Sequence, residues 1–148
     1  MANVQILVGS VYGASEQVAE IVCDQLKDAG HNVSINTYPR PEDLLNVDEV
    51  LLLCHSNTGS GELPDSLQPL YLHLTRDFPR LSGKCYGVIN LADSSYTSFN
   101  EAGIALDNAF FEVGAKRLGL PLVIDAMTGE NPAELAKNWL AGWMTNLS

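Results

Sequence analysis

Residues 4–15 read VQILVGSVYGAS, and the change of character along this stretch decides the fold. Val4, Ile6, Leu7 and Val8 form an apolar run, and Gly9 to Ser15 form a short glycine- and serine-bearing loop. Val18, Ile21, Val22, Leu26 and Ala29 then recur at helical spacing up to Gly30, which stands where a helix C-terminal glycine would. The pattern predicts a strand, a loop and a helix of about 14 residues. The loop holds no lysine or arginine, so it is either a tight turn or an anion site that works without a cation. Ser10 and Ser15 can donate hydroxyls, and Gly13 lets the backbone approach closely. N–H groups at a helix start form an anion nest with the positive end of the helix dipole behind it.

Further along, Asn32 to Thr37 alternates Val33 and Ile35 with polar neighbours, as a half-solvated edge strand does, and Pro39 and Pro41 end it. Val50 to Cys54, Tyr86 to Leu91 (interrupted by Gly87) and Pro121 to Ile124 are continuous apolar runs, the mark of strands buried on both faces. Helical patterns fill the gaps at Leu67–Thr75, Glu101–Val113 and after Asn131-Pro132. In the last, Asn131 is a candidate N-cap, and Trp139 and Trp143 fall on the apolar stripe as core residues. The order of elements predicts one α/β domain over residues 1–148, with five parallel strands and helices on both faces. Ligands in such sheets bind beyond the carboxyl ends of the strands, where the strand order reverses. That brings together the loops after strands 1, 3 and 4.

The second of these loops, His55 to Asp65, carries Gly59 and Gly61, which permit positive φ, and is longer than a turn between packed elements requires. The third, Ala92 to Asn100, is small and polar except for Tyr96 and Phe99. One aromatic anchors such a loop and the other offers a flat stacking surface.

The chain has 148 residues, 46% of them hydrophobic, enough to bury a core unaided. No segment approaches the length of a membrane span and the N-terminus lacks the pattern of a signal peptide, so a cytoplasmic protein with no membrane partner is expected. Cys23, Cys54 and Cys85 form no CxxC pair and read as buried free thiols. His31, His55 and His73 show no ligand spacing, which predicts structural or surface roles and no metal site. A net charge of -10 argues against nucleic acid and favours a basic protein partner. No acid, base and nucleophile are grouped as a catalytic constellation.

GSxxGxS after strand 1, SNTGSGELPD after strand 3 and DSSYxxF after strand 4 together resemble the flavodoxin family, and more narrowly its short-chain, MioC-like members, over essentially the whole chain. The resemblance implies a three-layer sandwich with sheet order 2-1-3-4-5. It also implies noncovalent FMN and a low-potential electron carrier that cycles the flavin through quinone, semiquinone and hydroquinone. Carried over by position, Ser10, Val11, Tyr12, Gly13, Ala14 and Ser15 form the phosphate cradle. Asn57, Thr58, Gly59, Ser60 and Gly61 border the isoalloxazine edge, and Tyr96 stacks on its ring. Ala92, Asp93 and neighbouring backbone line the pyrimidine side, with Phe99 as anchor. The Gly59 peptide corresponds to the one that family members turn toward flavin N5.

The partners so implied are an NAD(P)H-dependent flavodoxin reductase with a basic docking face and an acceptor redox enzyme. The protein itself is expected to be a monomer, with Glu62, Asp65 and Asp93 on its acidic rim. Tyr12 stands where a small hydroxyl residue is usual, Thr58 where many relatives place an aromatic, and Asn100 where cysteine is frequent. The insertion that long-chain members carry around the fifth strand is not evident. Two alternatives stay open: an interaction module with weak or no FMN binding, and a small flavin-dependent reductase, against which the short chain argues. A dinucleotide-binding domain would need GxGxxG, and a receiver domain would need acidic residues after strand 1 and an aspartate after strand 3. The chain has Gly9-Ser10 and His55-Ser56 there.

Overall fold

The structure, a computed structural model, describes residues 2–10, 13–46, 48–58, 61–96 and 100–147. In chain order the elements are β1 (Asn3–Gly9), α1 (Ala14–Asp28), β2 (Asn32–Asn36), β3 (Glu49–Ser56), α2 (Gln68–Arg76), β4 (Cys85–Ala92), α3 (Glu101–Glu112), β5 (Lys116–Arg117), β6 (Leu122–Asp125) and α4 (Pro132–Trp143). All strand pairings are parallel, in the order β2-β1-β3-β4-β5, with β6 also paired to β4. Strand order therefore reverses between β1 and β3, as the sequence predicts.

Alternation along the strands feeds two cores. Leu7, Leu51, Leu53, Tyr86 and Val88 pack with Leu70 and Leu74 of α2 and Leu106 and Phe110 of α3. Ile6, Val8, Leu52, Cys54 and Ile89 pack with Val18, Val22 and Leu26 of α1 and Leu140 and Trp143 of α4. Each such buried side chain contributes roughly 1.5–3 kcal/mol against exposure, and a sheet covered on both faces explains the unbroken apolar runs. The edge strand β2 is half-solvated, with Ile35 39% exposed. Asn131 caps α4 as expected, its side chain accepting the N–H groups of Ala133 and Glu134. Among the described residues, no helix is long and apolar enough to cross a membrane.

Two sequence expectations need correction. Cys85, read as buried, is only half-buried at the start of β4, whereas Cys23 and Cys54 are buried. The fifth strand, expected as one run at Pro121–Ile124, comes in two pieces that pair separately with β4: Cys85 with Lys116 and Tyr86 with Arg117, then Ile89 with Leu122 through to Ala92 with Asp125. Gly119 takes a φ of 72° and Pro121 has no N–H, so the ladder cannot run through them. In the gap the Trp143 indole donates to the Leu118 carbonyl and the Trp139 indole to the Leu120 carbonyl, each at 3.0 Å. The two indoles stack with centroids 5.6 Å apart. Trp143 lies over Gly87, where an added Cβ would stand 2.5 Å from its Nε1. That accounts for the glycine inside an otherwise bulky strand.

Candidate functional site

Because β1, β3 and β4 are adjacent and parallel, the chain leaves all three at the same edge of the sheet. Gly9, His55 and Asn90 are register partners there. The Asp65–Leu67 turn packs directly over Gly9: a Cβ at that position would come 2.5 Å from Leu67 Cδ1. The first and second loops are thus held side by side by a contact that only glycine permits.

In the first loop, Gly13 is the N-cap of α1 with a φ of 85°, and nothing lies within 4 Å of where its Cβ would be. No side chain caps the helix, so the N–H groups of Ala14, Ser15 and Glu16 in the first turn are those that helix geometry leaves without an internal partner. Ser10 Oγ accepts the Gly13 N–H at 2.6 Å, which shapes the turn and leaves the hydroxyl proton for another acceptor. Ser15 is fully buried, and its hydroxyl donates to the Gly9 carbonyl at 2.7 Å. The Cys54 thiol donates to the Ser15 carbonyl at 3.3 Å, and burial pushes its pKa up to about 12. Cys54 is therefore a neutral strut beneath the loop. Val11 and Tyr12 lie outside the described residues.

The second loop closes on itself. Thr58 N–H donates to the Glu62 carbonyl at 2.9 Å, Gly61 N–H to the Thr58 carbonyl at 3.0 Å, and Glu62 N–H to Thr58 Oγ1 at 3.0 Å, with Gly61 at a φ of 80°. Gly59 and Ser60, at its tip, lie outside the described residues. His55, read as the loop's first residue, belongs to β3 and is wholly buried. Its Nδ1 lies 3.0 Å from the Ser56 carbonyl. A carbonyl only accepts, so the ring proton sits on Nδ1. Nε2 is a buried acceptor with no partner among the described residues. Burial lowers the pKa of this imidazole, outweighing the opposing effect of the bond to Ser56.

In the third loop Asp93 Oδ1 accepts the Ser95 N–H at 2.9 Å and the Ser95 hydroxyl at 2.6 Å, and Tyr96 N–H returns to the Asp93 carbonyl at 3.2 Å. Ala92 is buried at the strand end, and Tyr96 stands 52% exposed. Phe99 lies outside the described residues. Three residues that sequence reasoning did not assign to the site hold these loops. Asp125, the last residue of β6, accepts the Ser94 N–H. Asn90 on β4 accepts from Asn57 and donates to Asn100. A signal for Asn90 is present, as the one amide inside the apolar run from Tyr86 to Leu91. Asp125 carries a weaker one, a carboxylate at the carboxyl end of a strand.

A separate cleft of about 660 Å³ lies between α3 and β5, lined by Phe111, Asn108 and the Asp107–Arg117 ion pair. It opens onto no helix N-terminus, and Arg117 is already paired. The converging loops, with helix N–H groups that have no partner within α1, an open glycine turn and an exposed tyrosine, are the better fit to an anionic aromatic ligand. Among the described residues no group of histidine, cysteine and carboxylate side chains could hold a metal ion.

Comparison with known proteins agrees with this geometry. The flavodoxin family model matches residues 6–139. Flavodoxin YqcA of Pectobacterium carotovorum subsp. carotovorum is 40% identical over 144 residues, covering 97% of this chain and 95% of that protein. Protein MioC of Escherichia coli (strain K12) is 32% identical, covering 99% of each. The solved structure of a cysteine-to-serine mutant of flavodoxin from Pseudomonas aeruginosa superposes with a TM-score of 0.88 at 36% identity, over 98% of both chains. With a family match across nearly the whole chain and relatives that align end to end, this chain belongs to the flavodoxin family of electron-transfer proteins.

Proposed function

We propose that the chain carries electrons on one noncovalently bound FMN, accepting them from an NAD(P)H-dependent reductase with a basic docking face and passing them to an acceptor redox enzyme. When bound, FMN supplies the reversible one-electron chemistry that no side chain here provides. The observation that carries the reading is the first loop. An open glycine turn starts α1, whose first N–H groups at Ala14, Ser15 and Glu16 have no partner within the helix, with the Ser10 hydroxyl bonded into the turn, the helix dipole behind them and no basic side chain in the loop.

The roles of the chain's own residues follow from their surroundings. Ser15 shapes the cradle through Gly9 and adds its N–H to it. Val11 and Tyr12 complete the cradle. Asn57 spends its side chain inward, so with Thr58, Gly59, Ser60 and Gly61 it meets the ring through backbone. Tyr96 covers one ring face, Ala92 and Asp93 border the pyrimidine side, and Phe99 anchors the third loop. Glu62 and Asp65 are exposed beside the site and dock the basic face of the partner. The protein works as a monomer in the cytoplasm.

The test is a titration of flavin-free protein with FMN and with riboflavin, followed by fluorescence quenching and removal of excess ligand. One FMN retained per chain, with riboflavin held at least tenfold more weakly, is the expected result. Equal binding of the two would remove the phosphate from the α1 cradle, and no binding of either would leave only an interaction module.

A further inference from the structure

Helix α3 is capped by the wrong asparagine. Asn100 occupies its N-cap position, where an asparagine side chain ordinarily accepts an N–H from the second or third helical residue. Here Asn100 has a φ of 67° and makes no side-chain cap. The N–H of Gly103, three residues on, is taken instead by Oδ1 of Asn57, from the second loop, at 3.2 Å. The Asn100 carboxamide oxygen accepts a hydrogen bond from Asn90 Nδ2.

The orientations of these amides are fixed by chemistry. The Leu91 carbonyl can only accept, so the Asn57 atom 3.0 Å from it is Nδ2. Gly103 N–H can only donate, so the atom facing it is Oδ1. The second proton of Asn57 Nδ2 therefore reaches Asn90 Oδ1, at 2.6 Å. That leaves Asn90 Nδ2 to face Asn100, which must present its oxygen. Asn90 is 2% exposed, so its groups have no water to fall back on. Gly103 makes room for this arrangement: a Cβ there would stand 2.0 Å from Asn90 Nδ2 and 2.9 Å from Asn100 Oδ1.

We infer that Asn90 is a positioning residue that joins the two flavin-bordering loops into one mechanical unit, through the directed relay Asn57 to Asn90 to Asn100 and the crossed cap on α3. A displacement of the second loop is then transmitted to the third loop and the start of α3. The geometry on both sides of the bound ring, and with it the separation of the two one-electron potentials, depends on residues that need not touch the flavin. The inference rests on the FMN-carrier reading for its effect on potentials, while the coupling itself belongs to the protein alone.

Two measurements test it. In flavin-free protein, Asn100→Gly keeps the left-handed backbone and deletes the amide. Hydrogen exchange at the Thr58, Gly61 and Glu62 amides should then quicken severalfold although the substitution lies in the other loop, while the amides of β2 stay unchanged. Asn100→Asp, which keeps the accepting oxygen, should restore most of the protection. Unchanged exchange at 58–62 in Asn100→Gly overturns the relay. In protein reconstituted with FMN, Asn57→Ser and Asn100→Gly should each weaken binding and narrow the gap between the two potentials. The double variant should do little more than the stronger single one, because both changes run through Asn90. Effects that multiply independently would show two unconnected loops and overturn the inference. Should the unaltered protein take up no FMN, the carrier reading falls while the exchange measurement still decides the relay.

Discussion

Asp125 Oδ1 accepts the backbone N–H of Ser94 at 3.0 Å, so the last residue of the sheet's outer strand clasps the third loop across the end of β4. The same oxygen accepts the Met127 N–H at 3.0 Å. The Ser94 hydroxyl and N–H, followed by the Met127 N–H, hold the Asp125 carboxyl below its ordinary range. A carboxyl lowered on folding contributes stability above its unfolded pKa and loses it as pH falls through the folded one. The clasp is therefore fully made at neutral pH. Asp125→Ala should weaken FMN binding severalfold through a loosened third loop, and Asp125→Asn, which keeps an accepting oxygen, should weaken it less. Fluorescence titration of the two variants at pH 7 reads the difference.

Gly13 tests the first loop in isolation. Its φ of 85° is strained for any L side chain, yet the space around it is open, so Gly13→Ala perturbs the backbone without a clash. The variant should lose about 1–2 kcal/mol in urea unfolding of the flavin-free protein. Gly13→Asn, whose short polar side chain tolerates this region, should lose less. FMN affinity should fall in the same order, with riboflavin affinity little changed.

His55 predicts a pH dependence of stability. Its folded pKa lies below the ordinary 6.5, so as pH drops beneath that value the unfolded chain takes a proton that the folded chain refuses. Stability then falls with falling pH, by up to about 1.4 kcal/mol per pH unit from this one group, until the folded pKa is reached. Urea midpoints of the native protein between pH 7.5 and 5 should show this slope, and His55→Leu should flatten it.

The two indoles in the broken fifth strand should differ in weight. Trp143 is buried, so Trp143→Phe both removes the donor to the Leu118 carbonyl and shrinks a packed core side chain, and should cost about 1–3 kcal/mol. Trp139 is only half-buried, and water can replace its indole at Leu120, so Trp139→Phe should cost less. Urea unfolding of the two variants side by side gives the comparison.

The strands of this fold are legible because burial on both faces leaves an unmistakable apolar signature, as in Val50 to Cys54 and Tyr86 to Leu91. The piece of strand at Lys116–Arg117 is invisible to that reasoning, since two basic residues carry no period and owe their place to pairing with β4. The three loops could be found from glycine, serine and strand ends. Of their fastenings, Asn90 and Asp125 stand out only by residue type, and the partners of Asn90, Asn100 and Asp125 stay hidden because they lie between 10 and 33 residues away in sequence. Nothing local in the chain distinguishes a cap supplied by its own helix from one supplied by another loop.

The gap between β5 and β6 has a bearing on how such a chain can vary. The Leu118 N–H still donates to the Tyr86 carbonyl of β4 at 2.7 Å, but from Gly119 to Pro121 the chain is held by tryptophans of α4 rather than by the ladder, so the spacing between the two strand pieces is not locked to the register of β4. The gap behaves as a seam: residues could be added there without displacing a single strand pairing on either side. A fold already unstitched at that point could be lengthened there while the three loops at the carboxyl ends of its strands stayed in place.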